Sequence, residues 1–286
     1  MTFADRVGAQ VEGSRAFLMI QRQSLRNVVW WLRAKPSRSR HVFIVGAPRS
    51  GTTLLQLLIA AHSGFAGCAG ESGVFTRNNV FNSARRYCGL SEARVREVLS
   101  RSSDIVSFFD CLAMEVTNGT HRFAEKTPQH VLVLRQLLRW FPESQFVNIV
   151  RDGRDCYCSA QTNPDVPQRT GAPRFARYWR RCIRARQRLG PSERIIDVRY
   201  EDLAGDTEAS LRRIMLTLGH EFESRQLAVS ARTADSRSAL TSFSRLSAPV
   251  GSETVGRWRR EMSNEQISQF QQIAGRELRQ FGYVLV

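Results

Sequence analysis

The sequence predicts an α/β protein, a single P-loop-like domain with a central, mainly parallel sheet flanked by helices. Three observations predict it. Continuous apolar runs at 41–46 (HVFIVG), 145–151 (QFVNIVR) and 194–200 (RIIDVRY) have the length and composition of strands buried on both faces. Each run is followed by a stretch of helical character, and strands alternating with helices build parallel sheets. The first run also leads into a glycine-punctuated turn, GAPRSGTT at 46–53, that opens a helix.

Taken in order, residues 14–34 read as an amphipathic helix, with Leu18, Leu25, Val29 and Leu32 on one face and Arg15, Arg22, Arg26 and Arg33 in a stripe beside it. A basic amphipathic helix can lie on an anionic membrane. Packing of its apolar side on its own domain is the commoner arrangement and the one expected here. Lys35-Pro36 ends this helix, so residues 1–40 form an N-terminal extension and 41–286 the α/β core of one domain. The run at 52–62 is helical after the first strand. Thr127 and Pro128 open a helix through a capping hydroxyl and a proline at N1, running to Trp140. Helices follow at about 152–162 and 207–218, with long loops at 163–174 and 232–256. Ser263 begins the last helix, Gln266 completing its capping box, with Ile267, Phe270, Ala274 and Phe281 on the apolar face.

An apolar fraction of 42% excludes a disordered chain. The balance of 42 Lys+Arg against 26 Asp+Glu, a net charge of +16, suits an anionic partner. Lysine occurs only at 35 and 126, however, so the excess is nearly all arginine and is explained equally well by GC-rich coding. The cations are not interleaved with aromatics and no nucleic-acid motif is present, so no nucleic-acid partner is expected. The six cysteines have neither CxxC nor zinc spacing and are predicted to be free thiols in a reducing compartment. No apolar run reaches the roughly 18 residues of a membrane span. FLMI at 17–20 is too short for a leader, so a cytoplasmic protein is expected.

Gly46 and Gly51 have the separation found in G-x-x-x-x-G-K-[ST] loops, whose backbone amides wrap a phosphate. The lysine position holds Thr52 instead. Ser50, Gly51, Thr52 and Thr53 stand at a helix start, where free amides favour an anion, and Arg49 brings the charge as a planar fork. In VNIVRDGRDCYCSA, Arg151 stands at a strand's C-terminal edge and Ser159 eight residues on, two helical turns later. Ligands of parallel sheets bind at that edge, so these two form a second anion grip. Two separate grips fit a nucleotide phosphorylated at both ends of its ribose.

PRSGTTLL resembles the 5′-phosphosulfate loop of the sulfotransferase family, and VRDGRDCYCS resembles its 3′-phosphate signature. Glu125-Lys126-Thr127-Pro128, VRYEDL at 198–203, Gly256-Arg257-Trp258 and Phe281-Gly282-Tyr283 are similar to segments of its bacterial and tyrosylprotein-type branches, so the resemblance spans about 41–283. It implies 3′-phosphoadenosine 5′-phosphosulfate as cofactor, no metal requirement, and sulfuryl transfer to a hydroxyl or amine. It further implies Arg49 and Lys126 at the transferring group, Glu71 in CAGESG as general base, and Tyr200 and Arg257 as additional cofactor contacts. His62 and His130 are rival bases, since cytosolic members use histidine. Asn163 stands where tyrosylprotein-type members carry a further cofactor-binding arginine, which puts that contact in doubt. The acceptor is expected to be a small molecule, a glycan or a glycolipid, walled by variable loops at 76–120, 163–180 and 232–256. The basic helix at 14–34 suits an acceptor held at a membrane. The alternative is a P-loop kinase or NTPase using Asp152 as a Walker-B-like acid, against which the missing loop lysine argues.

Overall fold

β1 (Val42–Gly46), β2 (Phe65–Gly67), β3 (Arg122–Lys126), β4 (Gln145–Val150) and β5 (Ile195–Arg199) form one sheet in the order β2-β3-β1-β4-β5. Every neighbouring pair is parallel. The structure is a computed structural model that describes residues 25–68, 70–76, 80–81, 87–164, 166–228 and 254–286.

Strand side chains alternate between faces, and the apolar runs divide accordingly. Phe43 and Val45 of β1, with Phe146 and Val150 of β4, enter one core layer; Val42 and Ile44, with Val147 and Ile149, enter the other. In the first layer Phe43 stacks on Phe146 at 5.0 Å and on Phe109 at 5.2 Å between centroids. A strand that is apolar on both sides needs helices on both sides, and the chain supplies them. Helix α1 covers 25–32, followed by α2 (Thr52–Ala60), α3 (Glu92–Ser100), α4 (Ile105–Thr117) and α5 (Leu134–Trp140). Then come α6 (Gly153–Gln161), α7 (Ala172–Gln187), α8 (Tyr200–Gly205), α9 (Thr207–Thr217), α10 (Trp258–Glu261) and α11 (Asn264–Gln280). The capping box of Ser263 and Gln266 opens α11 as expected.

Four expectations are corrected. Residues 76–120 are not mainly loop: α3 and α4 lie there, the latter opened by an Asp104–Ser107 capping box. The wall expected at 163–180 is largely α7. The helix expected from Pro128 begins as a 3-10 turn over Pro128–Val133, and the Thr127 hydroxyl does not cap it. Finally, α1 turns its expected core face outward: Leu25 is 64% exposed and Leu32 81%, while Trp30 on the opposite side is buried. Aromatic contacts decided this orientation, Trp30 meeting Phe81 edge-on at 4.6 Å and Trp31 meeting Trp140 at 4.7 Å. Leu18, Arg15 and Arg22, and most of the loop at 232–256, lie outside the described residues.

Candidate active site

Strand register collects the predicted residues at one edge. Lys126, the last residue of β3, is opposite Ile44, and Gly46, the last of β1, is opposite Ile149 near the end of β4, so the three strands end on the same edge of the sheet. At the end of β1 the chain turns through Gly46, where an added Cβ would meet the Ile149 carbonyl at 2.4 Å. Arg49 adopts φ 68°, a left-handed conformation uncommon for a non-glycine residue, of the kind concentrated at functional sites. Gly51 has φ 99° and lies so close to the Tyr200 ring that a Cβ would stand 2.5 Å from Cδ2. No side chain caps α2. Its first backbone ring closes from the Leu55 amide to the Gly51 carbonyl, leaving the amides of Thr52, Thr53 and Leu54 without an intrahelical acceptor. The Ser50 hydroxyl turns inward to donate to the Ala47 carbonyl at 2.7 Å and shapes the loop from within.

The second grip meets the first. Arg49 Nε donates to Ser159 Oγ at 3.2 Å, and Arg151 Nη1 donates to the Arg49 carbonyl at 3.4 Å. Arg151 is buried, its guanidinium 4.1 Å from the centre of the Tyr200 ring, and Nη2 donates to the Thr254 carbonyl at 2.6 Å. Its Nε is buried with no hydrogen-bond partner among the described residues. A buried, unsatisfied cationic donor is costly unless an anion completes it. Together with the amides of α2 it makes a donor set that fits a nucleotide's phosphates. Tyr200 supports this arrangement from below and holds Thr254 through a 2.8 Å hydroxyl contact. The segment after Thr254 is pinned by Asp155, which accepts from the Gly256 amide at 2.7 Å and the Trp258 amide at 3.0 Å. Arg257 is held by Glu261 through bonds of 2.8 and 2.7 Å.

Glu71 lies beside β3, with Lys126 Nζ 3.3 Å from its Oε1; Lys126 is buried and Glu71 partly open to solvent. The rival histidines have no ring nitrogen to offer. His62 Nδ1 accepts from the Gly64 amide at 2.9 Å, and Nε2 donates to the Glu221 carbonyl at 3.0 Å. His130 is fully buried, with Nε2 accepting from the Phe75 amide at 3.4 Å and Nδ1 3.1 Å from Glu125. Asp152 is occupied too, accepting from Arg154 Nε at 3.0 Å and Nη2 at 2.7 Å, which leaves it poorly placed as a metal-binding acid. Sequence reasoning missed Thr254, whose contribution is a backbone carbonyl, and gave Glu125 no role beyond its place in the Glu125-Lys126-Thr127-Pro128 motif, because its environment is tertiary. A charged residue inside an otherwise buried strand was the available signal for Glu125.

The sulfotransferase-family model matches residues 41–224, well over half of the chain. The chain belongs to the sulfotransferase family. Among curated relatives, protein-tyrosine sulfotransferase of Drosophila melanogaster is 31% identical over 120 residues, 40% of this chain and 23% of that protein. Omega-hydroxy-beta-dihydromenaquinone-9 sulfotransferase Stf3 of Mycobacterium tuberculosis is 31% identical over 108 residues, 33% of this chain and 28% of that one. The chain thus spans about a quarter of the length of these two relatives. Of solved structures, the sulfotransferase domain of the Synechococcus PCC 7002 olefin synthase superposes with TM-score 0.66 at 19% identity, covering 88% of this chain and 98% of that domain. A mouse sulfotransferase complexed with PAP superposes with TM-score 0.58 at 17% identity, covering 90% and 91%. At these identities the superpositions establish the fold.

Proposed function

We propose that this chain moves the sulfuryl group of 3′-phosphoadenosine 5′-phosphosulfate to an acceptor hydroxyl or amine, with Glu71 as general base. The observation that carries this is the joining of two anion grips, Arg49 to Ser159 and Arg151 to Arg49, at the strand edge that also holds the Glu71–Lys126 pair. The PAP-bound mouse neighbour and family membership support the choice of nucleotide. When bound, that cofactor supplies an activated sulfuryl group. Arg151 and Ser159 bind the 3′-phosphate, and Arg49 with the amides of Gly51, Thr52 and Thr53 holds the 5′ side. Tyr200 underlies both grips, and Arg257 adds positive charge to the 3′-phosphate side. Lys126 and Arg49 place fixed positive charge where negative charge develops. Glu71 takes the acceptor's proton. Two side-chain cations do here what a metal does in kinases, so the transfer is proposed to proceed without one. The paired state of Asp152 argues against the kinase reading.

For the acceptor we favour a hydroxyl on a small molecule, glycan or glycolipid. The relative whose name specifies a menaquinone derivative is one support for an amphiphilic acceptor. Another is the outward face of α1, where exposed Leu25, Val28, Val29 and Leu32 stand beside exposed Arg33 and Lys35. All six cysteines are unpaired, in keeping with a cytoplasmic site of action. Among the described residues no helix is long and apolar enough to cross a membrane. The test is incubation with radiolabelled cofactor in EDTA against phenols, sugars and glycolipid in anionic vesicles. Label transfer that fails for Glu71→Gln is expected. Phosphoryl transfer from ATP and magnesium, with no sulfuryl transfer to any acceptor, refutes the proposal.

A further inference from the structure

The loop that carries Glu71 pairs with no strand among the described residues, yet its amides at 72, 73 and 75 are satisfied by side chains from a single stretch, 125–130. Glu125 Oε1 accepts from the Ser72 hydroxyl at 2.6 Å and the Ser72 amide at 3.3 Å. Thr127 Oγ1 accepts from the Gly73 amide at 2.9 Å and donates to Glu125 Oε1 at 2.5 Å. His130 Nε2 accepts from the Phe75 amide. Because Nε2 accepts, the ring proton is on Nδ1, where it donates to Glu125 Oε2 at 3.1 Å. A strand alternates its side chains, so Glu125 and Thr127 face this loop from one side of β3 while Lys126, between them, points to Glu71. The loop is fastened at 72, 73 and 75, immediately beside the residue proposed as base.

Glu125 is 0% exposed. Burial of a carboxylate is unfavourable and raises its pKa, but His130, Ser72 and Thr127 outweigh burial here and hold it below the ordinary carboxylate range. At neutral pH it is therefore an anion, and three of its four donors are side chains.

We propose that Glu125, with Thr127 and His130, is a positioning device that takes the place of a missing strand partner for residues 71–75 and fixes Glu71 against Lys126. This rests on the assignment of Glu71 as base, but the device is separately measurable. In Glu125→Gln an amide replaces one carboxylate oxygen and sets donor against donor, at either Ser72 and Thr127 or His130. Ser72→Ala removes one donor while keeping the charge, and Ser72→Thr restores it. The three variants of the full chain are compared by amide hydrogen exchange over 70–76 and over β4. They are also compared by PAP affinity and by release of sulfate from the cofactor with water as acceptor, in wild-type and Glu71→Gln backgrounds.

Glu125→Gln and Ser72→Ala are expected to speed exchange at 72–75 by about tenfold, the scale of one lost buried hydrogen bond, while β4 is unchanged and Ser72→Thr is near wild type. PAP affinity is expected to stay within about twofold, since no phosphate donor is touched, and sulfate release to fall roughly 10- to 100-fold, the effect of a small misplacement. In the Glu71→Gln background the further fall is expected to be under about twofold, because residues acting through one another are not additive. Unchanged exchange at 72–75, or a rise shared equally by β4, overturns the positioning role, as does an equal fall in both backgrounds. If Glu71→Gln itself releases sulfate at the wild-type rate, the base assignment fails, and the exchange data alone then decide whether the loop is held by Glu125.

Discussion

Removal of the Arg151 guanidinium tests the nucleotide site most directly. Nη1 and Nη2 each give a hydrogen to a carbonyl, of Arg49 and Thr254, and Nε has no partner among the described residues. A charge-assisted bond from that donor to a phosphate contributes about 1.5–3 kcal/mol. Loss of a nearby positive charge in a site shielded from water adds to this, with ~4 kcal/mol as the ceiling for a pair 4 Å apart at an effective dielectric of 20. Part of the gain is offset in the wild type by displaced water, so a net loss of roughly 3–4 kcal/mol is expected for Arg151→Ala, a weakening of PAP binding by about 100- to 1000-fold. The fold loses less. Two carbonyl hydrogen bonds and the contact with Tyr200 together support about 1–3 kcal/mol after allowing for the desolvated charge. For a chain of this size that lowers Tm by roughly 3–10 °C, so a titration at low temperature still samples folded protein. Calorimetric titration with PAP in EDTA reads the affinity, and Arg151→Lys, which keeps the charge without the fork, separates geometry from charge. If Arg151→Ala binds PAP within about threefold of wild type, the second grip is not a phosphate site and the reasoning from the orphaned Nε is wrong.

Three further outcomes follow from other contacts. Gly51→Ala meets both a left-handed backbone and the Tyr200 ring at 2.5 Å, so it should weaken PAP binding at least about tenfold; Tyr200→Ala in the same chain should recover part of the lost stability, read by thermal unfolding. Because Glu125 is held below the ordinary carboxylate range, its stabilising contribution is fully present above that range and is lost as pH falls through its folded pKa. Thermal unfolding followed from neutral pH downward should therefore show an acid limb that is flattened in Glu125→Gln; an unaltered limb contradicts the assignment. Burial pushes the thiols of Cys158 and Cys182 up to about 12, leaving about one thiolate in ten thousand at pH 8. Maleimide labelling of the native chain at that pH should spare both and reach them once the chain is unfolded.

The strands at 42–46 and 145–150 were legible because burial on both faces leaves an unbroken apolar run, and the anion loop because glycine spacing and helix-start chemistry are local. β3 was not: Arg122 and Lys126 interrupt its apolar character, and Glu125 is a charge one of whose partners, Ser72, lies 53 positions earlier in the chain. Helix α7 was hidden because the Pro-, Thr- and Gly-containing stretch at 163–174 reads as loop and overlaps its start, whereas Arg180 and Arg184 lie along α11, Arg180 on the Ile273 carbonyl and Arg184 on Glu277. Helix α1 was recognised but turned the wrong way, since four aliphatic side chains outweighed two tryptophans in the periodicity while the tryptophans won in packing. Of the site, the residues that act by side-chain charge were nameable from the sequence. Those that act by a backbone carbonyl or a buried hydroxyl, such as Thr254 and Ser72, leave no compositional trace.

The pinning of residues 254–258 onto the second grip bears on where the working unit ends. The family match stops at residue 224, yet Arg151 leans on the Thr254 carbonyl, Asp155 holds the Gly256 and Trp258 amides, and the Tyr283 hydroxyl donates to Glu201 at 2.9 Å. Glu201 in turn accepts from the Asp152 amide beside Arg151. Trp179, whose indole donates to the Arg151 carbonyl at 3.1 Å, packs against Phe270 of α11. A fragment cut at the border that sequence similarity draws keeps both phosphate motifs intact but strips the brace from one of them. Ligand-binding competence in this chain is thus a long-range property, closed by its last thirty or so residues, and truncation series or fusion partners chosen by the similarity border would separate a recognisable signature from a working one.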